Sequence, residues 1–94
     1  MLELQVQDGG VVRLIGRLDA AEADRAQKTL DQVPGPVTLE CSGLEYISSA
    51  GISVILLTFK RVTAAGSSMK LVGLIPRVRN VFTFAGLEKI FDIQ

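Results

Sequence analysis

Leu2, Leu4 and Val6 alternate with Glu3, Gln5 and Gln7, the period-two pattern of a strand with one dry face. Asp8-Gly9-Gly10 then supplies turn residues, and the branched run Val11 to Ile15 reads as the second arm of a hairpin. Gly16-Arg17-Leu18-Asp19 is expected to break that strand. Asp19 and Glu22 have capping-box spacing, which predicts a helix from about Ala20 to Leu30 with Ala23, Ala26 and Leu30 on its apolar face. Pro34-Gly35-Pro36 closes this segment, and Val37, Leu39 and Cys41 alternate with Thr38 and Glu40 as a third strand. A loop through Leu44, Tyr46 and Ile47 is expected to lead to Ser48-Ser49-Ala50-Gly51, where a second helix begins.

The branched residues of Ile52 to Ala65 suit a strand, but the segment is more than twice the length of an average strand, so length favours helix. On that reading Ile52, Ile55, Leu56, Phe59 and Val62 share a face, Lys60 and Arg61 lie toward the negative end of the dipole, and Gly66 stops the helix. Met69 to Val72 reads as a fourth strand. Pro76 opens a third helix carrying Val78, Val81, Phe82 and Ala85, Gly86 and Leu87 end it, and Ile90 to Ile93 is expected as a short last strand. The order ββαβαβαβ implies an α/β fold of one domain over residues 1–94, with a small mixed, largely parallel sheet and flanking helices.

Composition narrows the chemistry. Hydrophobic residues make up 48% and charged residues 21%, enough apolar material for a packed core. Ten basic side chains balance ten acidic ones, so no net positive field draws nucleic acid. The halves differ: residues 1–47 hold four basic and eight acidic side chains, and residues 48–94 hold six and two. Arg77 and Arg79, placed against the dipole of the third helix, read as a solvated face, with a rim that steers an acidic partner as the alternative. One cysteine and no histidine leave no intrachain disulfide, no Cys/His zinc cluster and no triad base, which fits a reduced, metal-free, cytoplasmic setting. The longest aliphatic stretch, Val54 to Leu57, is far short of the roughly 20 residues of a membrane helix, and the first residues lack the pattern of a signal peptide. Neither a dinucleotide loop nor a phosphate-binding P-loop occurs, so neither a cofactor nor a metal is expected. Ser49 as an enzyme nucleophile would lack a marked base.

Ser48-Ser49 at a helix start has two readings from the same physics. A serine there caps the helix, or it accepts a phosphoryl group that the free N–H groups and the positive dipole end accommodate. The segment Tyr46-Ile47-Ser48-Ser49-Ala50-Gly51-Ile52-Ser53-Val54 resembles the aromatic-Met-Asp-Ser-(Ser/Thr)-Gly-Leu-Gly-Val stretch of bacterial anti-sigma factor antagonists of the STAS-domain family. Gly16-Arg17-Leu18-Asp19 is similar to that family's Gly-acidic-Leu-Asp, and Arg79 to Leu87 to its Arg-Leu-Phe and Gly-Leu motif, so the likeness covers nearly the whole chain.

The resemblance implies a partner switch. The unphosphorylated antagonist captures an anti-sigma factor that is also an ATP-dependent serine kinase, phosphorylation releases it, and a PP2C-type phosphatase resets the switch. Carried onto this chain, the acceptor is Ser49, with Ser48 a second candidate, and the docking surface takes in Arg17, Asp19, Ser48, Ser49, Ala50, Gly51 and Ser53. Three positions depart from the pattern: Ser48 replaces the family Asp, Ala50 replaces Ser or Thr, and Arg17 stands where Glu or Asp is frequent. A constitutive STAS adaptor subunit of a membrane transport complex is the alternative expectation.

Overall fold

The computed structural model describes residues 1–94. Strands β1 (Leu2–Gln7) and β2 (Val11–Leu18) flank a short 3-10 turn at Asp8–Gly10, and helix α1 (Ala23–Asp31) follows. Strand β3 (Val37–Ile47), helix α2 (Ser49–Ala64), strand β4 (Met69–Val72), helix α3 (Pro76–Phe84) and strand β5 (Asp92–Ile93) complete the chain. The sheet runs β1-β2-β3-β4-β5, with β1 antiparallel to β2 and every later pair parallel. This is the α/β fold with the order ββαβαβαβ.

Each parallel crossover steps to the next strand in the same direction, and the right-handedness of such crossovers puts all three helices on one face of the sheet. Val12, Leu14, Leu39, Cys41, Met69 and Leu71 point to that face and are buried, whereas Arg13, Thr38, Glu40 and Lys70 occupy the other and keep contact with solvent. Beneath the helices, Phe91 meets Phe59 and Phe82 edge-on, with ring centroids 5.2 and 5.7 Å apart. Burial and then the neighbouring Glu40 charge push the Cys41 thiol up to about 12, so it packs as a small apolar residue.

Several boundaries differ from the sequence expectation. Strand β2 runs on to Leu18, because Gly16 adopts φ +105° without leaving the ladder. Strand β3 continues through Ser42 to Ile47 beside β2, pairing through Gly43, Leu44, Tyr46 and Ile47, where alternation alone suggested a loop. Helix α1 starts at Ala23, three residues late, because the capping box is only half made. Asp19 Oδ1 accepts the Glu22 N–H at 3.3 Å, but the Glu22 carboxylate turns to the Leu2 N–H at 3.1 Å and to Arg25 instead of returning to Asp19. Residues 20–22 are left as a turn.

On α2 the buried face is Gly51, Val54, Ile55, Thr58 and Val62, while Ile52, Leu56 and Phe59 are only half-buried along its flank. Thr58 satisfies its hydroxyl on the Val54 carbonyl at 2.9 Å, which lets a polar residue sit in the core. Gly66, at φ +80°, ends α2, and the Ser67 N–H returns to the Val62 carbonyl at 2.9 Å. The end of α3 repeats that motif, the Leu87 N–H bonding the Phe82 carbonyl at 2.9 Å. The last strand is confined to Asp92 and Ile93, because Ile90 and Phe91 still belong to the turn and Phe91 is drawn into the core.

Candidate functional site

The carboxyl ends of β2 and β3 and the start of α2 form one rim. The Ser48 N–H donates to the Leu18 carbonyl at 3.0 Å and ties the two strand ends together. Gly51 lies against the same place: a Cβ there would stand 2.5 Å from Leu18 O and 2.8 Å from both Ile47 Cγ1 and Leu18 Cγ. Gly51 is buried, so its contribution is the close approach of α2 to the strand ends and not a contact surface.

The two serines differ in what their hydroxyls do within the protein. Ser48 has extended backbone (φ −97°, ψ 175°) and is the N-cap, its Oγ accepting the Gly51 N–H at 3.3 Å. Ser49 is the first helical residue, it is exposed, and its hydroxyl has no partner within the protein. The backbone N–H groups of Ser49 and Ala50 are also unpaired, as expected of a first turn. Ser53, one turn on and exposed, donates to the Ser49 carbonyl at 3.1 Å. Ala50 and Ser48 are half-buried.

Asp19 is half-buried at the end of β2, and Arg17 Nε stands 3.9 Å from Asp19 Oδ2. The Arg17 guanidinium lies over the Tyr46 ring, 4.1 Å from its centroid. Tyr46 is the residue at this rim that sequence reasoning placed in a loop without a role. Its spacing of two from Leu44 is the signal that could have extended the strand, but pairing it with Arg17 needed the register. Two shifts, between Arg13 and Ile15 and between Gly16 and Arg17, bring Arg17 opposite Tyr46.

Elsewhere, Arg79 is engaged by Glu88 at 3.3 Å, and Arg77 is exposed without an ion-pair partner, so only Arg77 is left for the alternative of a steering rim. The Thr83 hydroxyl, and then Arg79, hold the Glu88 carboxyl below its usual range. The surface depression at the end of α3, lined by Thr83, Gly86, Glu88 and Lys89, contains none of the rim residues. No group of three or more His, Cys, Asp or Glu side chains is placed to hold a metal ion, and no helix is long and apolar enough to cross a membrane.

Comparison with known proteins bears on the whole chain. The STAS domain family model matches residues 1–94. The provisionally named anti-sigma factor antagonist BtrV of Bordetella bronchiseptica is 33% identical over 91 residues, covering 92% of this chain and 78% of its own. The anti-sigma F factor antagonist of Paenibacillus polymyxa is 28% identical over 88 residues, covering 88% and 75%. Among solved structures, a provisionally named anti-sigma factor antagonist from Thermotoga maritima superposes with a TM-score of 0.79 at 25% identity, over 99% of this chain and 85% of its own. With the fold, the motifs and the relatives in agreement over its length, this chain belongs to the STAS-domain family of anti-sigma factor antagonists.

Proposed function

We propose that the protein is the antagonist arm of a phosphorylation-dependent partner switch. In its unphosphorylated form it binds an anti-sigma factor that is also an ATP-dependent serine kinase, and so frees a sigma factor or another client. Phosphorylation of Ser49 abolishes that binding, and a PP2C-type phosphatase restores it. The protein acts by docking and not by catalysis.

The observation that carries this reading is the contrast between the two serines. Ser48 is occupied as the cap, while Ser49 offers an exposed hydroxyl beside two unpaired N–H groups at the positive end of a helix of 16 residues. A phosphoryl group there adds nearly two negative charges without displacing an internal hydrogen bond. Binding then changes through surface charge and shape, with the fold intact.

Incubation with the kinase partner and ATP, followed by intact-mass measurement, tests the proposal directly. Addition of one phosphate to the parent, none to Ser49→Ala, and loss of partner capture by Ser49→Asp are expected. Capture by Ser49→Asp equal to that by the parent would overturn the switch. Retained binding with no phosphate added would leave a constitutive adaptor in its place.

A further inference from the structure

The Arg17–Tyr46 stack differs from the other arginine sites in one respect that matters for recognition. Arg25 donates to the Leu2 carbonyl and Glu22, Arg61 to the Leu30 and Val33 carbonyls at 2.9 and 2.8 Å, and Arg79 to Glu88 at 3.3 Å. Their guanidinium groups serve the fold. Arg17 makes no side-chain hydrogen bond: its nearest carboxylate oxygen, on Asp19, is 3.9 Å away, and its side chain remains 53% exposed. Yet it is not a loose surface arginine, because its Cζ sits over the Tyr46 ring, 4.1 Å from the centroid.

A guanidinium seated over an aromatic ring, with its N–H groups unused, has given up much of the rotamer freedom that docking would otherwise cost. It presents the fork geometry that a carboxylate fills. Exposed Arg77 has no aromatic ring stacked on it.

Position adds the second argument. Leu18, next along β2, is buried on the helix side, so Arg17 projects from the other side of the same rim. The Leu18 carbonyl receives the Ser48 N–H, which puts the stack and the start of α2 within one docking footprint. Local charge selects the class of anion. Asp19 lies 3.9 Å from Arg17 and exposed Glu45 is beside Tyr46 in sequence, while the Met1 ammonium, on the residue whose carbonyl receives the Arg17 N–H, is drawn to Glu22 at 3.9 Å, a setting that tolerates a single negative charge better than a phosphate dianion.

We infer that Arg17, seated over the Tyr46 ring, is a specificity-determining residue that receives an Asp or Glu carboxylate from the protein docked over Ser49. Partners carrying Lys or Arg at that point are rejected. Tyr46 is a positioning residue that acts through Arg17. The inference rests on the proposed function in one respect, that a protein docks over Ser49.

Two measurements test it, and the first needs no partner. In ¹⁵N-resolved NMR, acetate replaces chloride at constant ionic strength while the Arg17 and Arg77 Nε–H signals are followed. The Arg17 signal should move several-fold further than that of Arg77, and Tyr46→Leu should bring it down to the Arg77 level while Tyr46→Phe retains it. Equal movement of the two signals in the parent protein overturns the inference.

The second measurement uses the anti-sigma factor captured by the parent. Arg17→Glu should weaken binding by at least about tenfold, and one Asp or Glu to Arg change on the partner should restore it. Binding of Arg17→Glu equal to that of the parent, or no rescue by any such reversal, overturns it as well. Should no anti-sigma factor bind the parent, or should Ser49→Asp bind like the parent, it is the switch that fails, and the acetate comparison decides the role of Arg17 by itself.

Discussion

Because Ser48 Oγ accepts the Gly51 N–H while the exposed Ser49 hydroxyl has no internal partner, the two serines should respond differently to truncation. Ser48→Ala removes an N-cap and is expected to cost about 1 kcal/mol in urea unfolding. Ser49→Ala removes nothing the fold uses and should stay within about 0.5 kcal/mol. The residues themselves place the pair at a helix start without saying which serine caps it, and the family resemblance is what names Ser49 as acceptor with Ser48 second. What separates them is one residue of helix phase, which the contact of Gly51 with Leu18 fixes. Cys41 provides a second test at this scale. Its folded-state pKa lies above the ordinary thiol value, about 12 against 9.0, so its contribution is complete below pH 9.0 and declines as pH rises toward 12. Stability should therefore fall on this account by up to about 1.4 kcal/mol per pH unit across that window, and Cys41→Ala should flatten the alkaline limb of the curve. Ellman's reagent should leave the native thiol unmodified near neutral pH and label it after denaturation.

Among the elements, α2 is the one on which the site depends, and two anchors hold it. At its start Gly51 packs against Leu18, so Gly51→Ala must push the helix from the strand ends and is expected to cost about 3 kcal/mol by thermal or urea unfolding. At its far end Arg61 donates to the Leu30 and Val33 carbonyls, closing the end of α1 onto α2, and Arg61→Ala should cost about 2 kcal/mol. Length identified α2 correctly, because it outweighs the strand preference of branched residues once a segment passes about a dozen positions. It missed Val54 and Thr58 as core positions, since a polar Thr inside a helix reads as a solvent position until its hydroxyl is seen bonding the carbonyl one turn back. The late start of α1 has a similar cause. The Glu22 carboxylate had a competing partner in the Leu2 backbone, 20 residues away, and a local motif cannot register that competition.

Taken whole, the molecule separates a packed helix face from a polar sheet face, and the rim formed by the ends of β2 and β3 and the start of α2 lies at the border between them. Charge added at this border should leave the body of the fold alone. Ser49→Asp is expected to keep the parent circular dichroism spectrum and a Tm within about 4 °C, an acidic side chain in the first turn being favourable to the helix dipole. Phe84, 88% exposed at the end of α3, is equally separate from the core, and Phe84→Ser should raise solubility while stability stays within about 0.5 kcal/mol. The order of strands and helices, the α/β class, the helix stops and the serine pair at a helix start were all carried by the sequence, because each rests on periodicity or on local cap and turn chemistry. Tertiary structure alone decided the length of β3, the half-made cap before α1, which of the two serines caps α2, and the placement of Arg17 over Tyr46. Each of these depends on a register or a contact between segments far apart in the chain. Free energies of that kind are set by which groups meet across the sheet, and no local pattern contains them.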